Sequence, residues 1–130
     1  MNIGDAASRA GLSVKTVRYY DDVGLIRPED RSAGGYRQYG EVELRKLVFA
    51  RHARAFGFSI EQTRELLSLY EDRDRSSADV RRIAAARLEE IDARLEELGK
   101  LRSELAHLVQ ACHGDDRPDC PILTSFADDD

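Results

Sequence analysis

Residues 3–24 read Ile3-Gly-Asp-Ala-Ala-Ser-Arg-Ala-Gly-Leu-Ser-Val-Lys-Thr-Val-Arg-Tyr-Tyr-Asp-Asp-Val-Gly24. The stretch holds two short helical patterns, each closed by a glycine. In the first, Ile3, Ala6, Ala7 and Ala10 share one face at helical spacing. Gly11 then supplies the left-handed conformation that ends a helix. Ser13 offers a hydroxyl N-cap to a second helix over residues 14–22, which Gly24 ends. Helix, glycine-containing turn and helix form the outline of a helix-turn-helix.

Working outward, residues 31–40 (Arg-Ser-Ala-Gly-Gly-Tyr-Arg-Gln-Tyr-Gly) predict a hairpin. Gly34-Gly35 suits both positive-φ positions of a type I′ turn, and Tyr36 and Tyr39 favour strands. A helix follows from Glu41 to Phe56, with Val42, Leu44, Leu47, Val48 and Ala50 as its apolar side and Gly57 at its end. Ser59 with Gln62 three residues later predicts a capping box and a helix reaching Tyr70. A first segment over residues 1–70 is then joined by a polar linker, residues 71–76, to a long helix over residues 77–111. That helix contains no proline and one glycine, Gly99. Within it Ala84, Leu88, Ile91, Leu95, Leu98, Leu105, Val109 and Cys112 alternate spacings of four and three, broken at Arg102, which is a coiled-coil seam. At 1.5 Å per residue the helix spans about 50 Å. The chain offers no second helix of that length, so a second copy of the chain is the expected partner. The remainder, residues 112–130, is turn-rich, with a short helix beginning at Pro121 and an acidic end, Asp128–Asp130, expected to lack structure.

The 130 residues carry a net charge of -5 with 35% charged side chains. That sum hides an asymmetry. Residues 1–60 hold 10 Lys/Arg against 7 Asp/Glu, and residues 61–130 hold 10 against 18. Only the first half is suited to meet phosphate. The Met-Asn-Ile-Gly-Asp start lacks the basic and apolar regions of a signal peptide. The longest apolar runs are four residues, Leu47–Ala50 and Ile83–Ala86, too short to span a bilayer. A cytoplasmic chain without membrane attachment is expected, and there two cysteines serve as free thiols, ligands or redox groups more readily than as a structural bridge. No nucleophile–base–acid set and no phosphate loop is present, which argues against an enzyme.

The second helix presents Lys15, Thr16, Arg18 and Tyr19 near its start, the residue types that reach base edges and phosphates from a recognition helix. The hairpin adds Arg31, Tyr36 and Arg37, a basic and aromatic cluster suited to gripping the DNA backbone beside the groove, and Arg54 lies on a basic stretch with Arg51. The alternative is that these are solvated surface charges and that Tyr36 is a core residue of the hairpin.

Ile3-Gly-Asp-Ala-Ala, then Gly11-Leu-Ser-Val-Lys-Thr-Val-Arg-Tyr-Tyr-Asp-Asp-Val-Gly-Leu-Ile, Gly35-Tyr-Arg-Gln-Tyr and Phe56-Gly-Phe-Ser-Ile-Glu-Gln together resemble the MerR family of winged-helix activators. Gly34 departs slightly from a position where that family often has Asn. The resemblance covers the whole chain. It implies that Lys15, Arg18, Tyr19, Tyr20, Arg31, Tyr36, Arg37 and Arg54 sit at or near DNA. It also implies a homodimer on double-stranded promoter DNA that, on binding an effector, distorts the promoter and realigns it for RNA polymerase. The expected fold is mainly α: a winged helix-turn-helix, a long C-terminal dimerisation helix paired as an antiparallel coiled coil, and a metal-binding loop.

Cys112 and Cys120, separated by seven residues, bracket that loop. Thiolates are soft ligands that favour Cu(I), and two of them suit the near-linear coordination of a d¹⁰ monovalent ion, whereas zinc usually takes four ligands. The dipole of a helix beginning at Pro121 would stabilise the negative bis-thiolate complex. Cys112-His-Gly-Asp-Asp-Arg-Pro-Asp-Cys-Pro-Ile resembles the loop of the copper-responsive, CueR-like branch of the family. That likeness implies Cu(I), with Ag(I) and Au(I) as related ions, and activation of metal-efflux genes. Ser77 stands where family members sensing divalent ions have Cys, and His113 replaces a frequent Pro, leaving a third ligand open. Other readings remain: a zinc-type divalent site, a regulatory disulfide, inert cysteines, a metal-buffering protein or an organic-ligand sensor. His52 and His107 read as helix-surface residues, and Asp115, Asp116 and Asp119 as solvated loop carboxylates.

Overall fold

Asn2 starts the first helix: its side chain accepts the Asp5 backbone N–H at 2.8 Å, and α1 runs Ile3–Ala10. Gly11, at φ 74°, closes it by donating its N–H to the last turn. Ser13 caps α2 (Val14–Asp22) by accepting the Thr16 N–H. The computed structural model describes residues 1–128. Strands β1 (Asp30–Arg31) and β2 (Arg37–Gln38) pair antiparallel, with Asp30 opposite Gln38 and Arg31 opposite Arg37. Helix α3 (Glu41–Ala55) begins where the Glu43 carboxylate accepts the Gly40 N–H. The predicted Ser59–Gln62 capping box forms and opens α4 (Ile60–Glu71). Helix α5 is Ser77–Ala111, and α6 is Pro121–Ala127, with Pro121 in its first turn. The mainly helical architecture read from the sequence is the one observed.

The hairpin differs from its expectation. Of the two glycines, Gly35 takes the left-handed conformation, at φ 81°, and Gly34 does not. The Gly35 N–H donates to Ser32 O at 2.8 Å and the Ser32 N–H to Tyr36 O at 2.7 Å. Ala33, Gly34 and Gly35 therefore make a three-residue loop ending in a left-handed glycine, in place of the two-residue type I′ turn. Both forms need a glycine, so the dipeptide alone does not choose between them.

The chain divides into two units, Met1–Arg87 and the segment from Leu88 onward, with the division inside α5. In the first unit, alanines 6, 7 and 10 let α1 lie close to α2 and α3 around Val17, Tyr20, Ile26, Tyr39, Leu44, Leu47 and Leu67. Val42, expected on the apolar side of α3, is instead half exposed. A smaller cluster joins Ala53, Phe58 and Ile83, so the first turns of α5 pack on the end of α3 and on α4. Arg87 Nε donates to Phe56 O at 2.8 Å in the same region. The second unit is the rest of α5, the loop after it, and α6. Its seam leucines stay uncovered: Leu88, Leu95, Leu98 and Leu105 are 50–62% exposed. Asp128 caps the end of α6 in an extended conformation, and the expectation for Asp129 and Asp130 lies outside the described residues. No helix among the described residues is long and apolar enough to cross a membrane.

Candidate functional site

The first turns of α2 hold the recognition residues proposed from sequence. Val17 and Tyr20 turn into the core, which leaves Lys15, Arg18 and Tyr19 on the exposed side. Ser13 also donates its hydroxyl to Thr16 Oγ1 at 2.9 Å, so Thr16 is tied into the cap. Arg18 lines a groove with Ser32, Tyr36 and Arg37 of the hairpin, which brings helix and wing to one surface. Tyr36 is 74% exposed, so it is not a core residue of the hairpin.

Tyr20 requires a correction. Its side chain is 4% exposed and belongs to the core, so its ring is not presented to DNA. Burial pushes its phenol pKa up, against a lowering by the neighbouring Arg54 guanidinium. The reason is helical spacing: Tyr20 lies three residues after the buried Val17, on the same face. Tyr19, one residue earlier, is half exposed.

Several of the cations assigned to DNA are also fastened inside the protein. Arg37 Nε donates to Asp21 Oδ2 at 2.7 Å, and an Arg31 Nη donates to the same oxygen at 3.0 Å. An Arg54 Nη donates to Phe58 O at 2.6 Å. Arg51 donates to Ala10 O, and Arg64 to the Val23 and Gly24 carbonyls just beyond α2. The hydrogen bond to Asp21 raises the Arg37 pKa further, so the guanidinium stays charged. Tyr39 packs beside this group with its pKa raised, first by burial and then by Asp21. Its buried hydroxyl has no hydrogen-bond partner among the described residues. Sequence reading missed Asp21. The available signal was its place four residues after Val17, which puts it on the inward face of α2.

The two cysteines come together. Cys112 continues the hydrogen bonding of α5 through its N–H to Leu108 O, and Cys120 is the N-cap of α6. Their sulfurs lie 3.9 Å apart, both half-buried and both free thiols. The loop between them turns at Gly114, in the left-handed conformation, and Arg117 Nε donates to Asp115 at 2.8 Å. Cys120 is held below its usual pKa, mainly by the Leu123 backbone N–H, then by that of Ile122 and by Cys112, against partial desolvation. Taking about 2.3 Å for a metal–thiolate bond, two sulfurs in a linear S–M–S unit stand about 4.6 Å apart, and at a tetrahedral angle about 3.8 Å. At 3.9 Å the pair stands near the tetrahedral spacing, and linear coordination would need the sulfurs to move apart. Among the described residues, no set of three His, Cys, Asp or Glu side chains is placed to hold a metal ion, so His113 does not complete a site within this protomer.

Comparison with known proteins follows the same outline. The model described as "MerR HTH family regulatory protein" matches residues 1–70, and the one described as "MerR, DNA binding" matches residues 44–108. The chain is 58% identical to the HTH-type transcriptional regulator HmrR of Rhizobium leguminosarum bv. viciae, over 98% of each chain. It is 42% identical to the HTH-type transcriptional regulator CueR of Escherichia coli O6:H1, over 98% of this chain and 94% of that one. Among solved structures, it resembles the transcription regulator PbrR691 from Ralstonia metallidurans in complex with lead(II), with a TM-score of 0.83 and 33% identity over 98% of this chain and 99% of that one.

Proposed function

The chain belongs to the MerR family of helix-turn-helix transcription regulators, and from that premise we propose that it is a homodimeric, metal-responsive activator of promoter DNA whose effector is Cu(I), held by Cys112 and Cys120. The observation that carries the effector reading is a neighbouring pair of free thiols with, among the described residues, no third His, Cys, Asp or Glu side chain placed to join them. Two thiolates without further donors match a d¹⁰ monovalent ion better than zinc. Such an ion would neutralise one of the two thiolate charges. The backbone N–H groups of Leu123 and Ile122 already favour the thiolate form of Cys120. Closing the sulfur pair ties the end of α5 to the start of α6 and orders the loop between them. That ordering can bias transcription only through a difference in affinity between two states of the dimer. The thiols lie far along the chain from Lys15, Arg18 and Tyr19, so DNA attachment and metal response are separable.

Lead(II) in the related structure favours a second reading, a divalent ion with a ligand supplied by the other protomer. Against it stands Ser77, exposed at the start of α5, where the family resemblance implies a Cys in members that sense divalent ions. Titration of the reduced protein with Cu(I) and with Zn(II), each against a competing chelator and followed by X-ray absorption, separates the two. The expected result is one Cu(I) per protomer in two-sulfur coordination, with apo protein still bound to its promoter. A Cys112→Ser, Cys120→Ser variant should keep DNA binding and lose copper-dependent activation in a reporter assay. Four-coordinate zinc bound more tightly than copper favours the second reading, and copper activation that survives the double substitution rejects both.

A further inference from the structure

Among the described residues, Asp21 is the buried charged side chain. Nothing local favours it there. It lies in the last turn of α2, at the negative end of the helix dipole, and burial disfavours its charge. Against both effects, Arg31 and Arg37 donate to one carboxylate oxygen. These two arginines stand directly opposite each other across the strand pair, where like charges repel. The sheet that holds them has two strands of two residues each, too little to be stable alone. One carboxylate on the recognition helix therefore cancels the repulsion and ties both strands of the wing to that helix. Arg18 of the same helix and Tyr36 and Arg37 of the wing line one groove.

We infer that Asp21 is a positioning residue for DNA recognition: it fixes where the wing arginines reach relative to α2 and keeps part of their charge from binding phosphate indiscriminately. The inference rests on the DNA-binding reading above. The wing then contributes to register on a specific site, and loss of the carboxylate should shift the protein toward non-specific attachment. The test compares wild type, Asp21→Asn and Asp21→Glu on a promoter duplex and a random duplex across a salt series, with thermal melting alongside. Asp21→Asn removes the carboxylate shared by two guanidiniums, while Arg37 keeps its 3.7 Å contact to the exposed Asp22, so the salt slope on random duplex should steepen by about one unit and the promoter preference should fall about tenfold. Asp21→Glu keeps the charge and displaces it by one methylene, so the preference should fall while the slope stays that of wild type. A merely structural role predicts lower melting temperatures with preference and slope unchanged, and that result overturns the inference. If Asp21→Asn does not fold, Asp21→Glu decides: a preference within about twofold of wild type overturns it. Wild-type protein without affinity for any duplex would defeat the DNA-binding reading itself, and this inference with it.

Discussion

The two units of the chain use the same kinds of residue in opposite ways. In the first, apolar side chains are enclosed: Leu47 is 0% exposed and sits among residues from four helices and the hairpin. Its arginines reach across the fold, Arg64 to carbonyls 40 and 41 residues away and Arg51 to one 41 residues away. In the second, Leu95 and Leu98 are 62% and 55% exposed, and the ion pairs run along the helix, Arg94 with Glu97 and Lys100 with Glu96. Contacts distant in sequence make the first unit complete as a single chain. The second unit has a regular apolar stripe and little of its own chain to bury it. In the proposed dimer a second copy would cover that stripe, whereas the first unit encloses its own core.

The harshest test of that contrast is to place charge on the stripe. Leu95→Asp with Leu98→Asp should convert the proposed dimer to monomer and abolish promoter binding, since carboxylates on both protomers would face one another across an apolar seam. Sedimentation equilibrium reads the mass directly. A dimer of unchanged mass would mean that the stripe is not the interface and that the exposed leucines need another explanation.

A smaller effect, of a different kind, is expected in the first unit. Leu47→Ala removes a fully enclosed side chain and should lower unfolding stability by about 2–5 kcal/mol. The denaturant midpoint should shift while the sedimenting mass at low denaturant stays that of the dimer. If the same substitution dissociates the protein before it unfolds, the two units do not hold their structure independently, and the contrast drawn above is too sharp.

How much of this was legible in advance follows from the same contrast. Features set by near neighbours could be read: Ser13 and Ser59 as caps, Gly11 as a terminator, and the unbroken run that becomes α5. The thiol pair was legible too, because the two cysteines are brought together by one short loop. Partners far along the chain were not legible. Nothing near Arg64 says that it closes the end of α2, and nothing near Arg31 and Arg37 says that they share Asp21, 10 and 16 residues away. Charged residues in a basic segment read as solvated or bound to phosphate, so a buried carboxylate among them goes unnoticed. Tyr20 was placed at DNA by the family likeness alone, although its spacing from Val17 already put it on the buried face.

The smallest effect is expected on the outer face of α5, and it tests where the partner sits. Glu96 and Lys100 lie one turn apart at 3.7 Å, with side chains 74% and 77% exposed. Counting from Leu95 and Leu98 as the inward a and d positions, Glu96 takes b and Lys100 takes f, both facing away from the seam. The glutamate precedes the lysine, the favourable order for a helix, yet such exposed pairs contribute about 0.3–0.5 kcal/mol and are screened by salt. Lys100→Gln should therefore change dimer stability by no more than about 0.5 kcal/mol at low salt, and by nothing measurable near molar salt. An effect several times larger that persists at high salt would mean that the pair is enclosed by the second protomer. The dimer would then meet on a different face of α5, and the uncovered leucines would mark a surface for something other than a second copy.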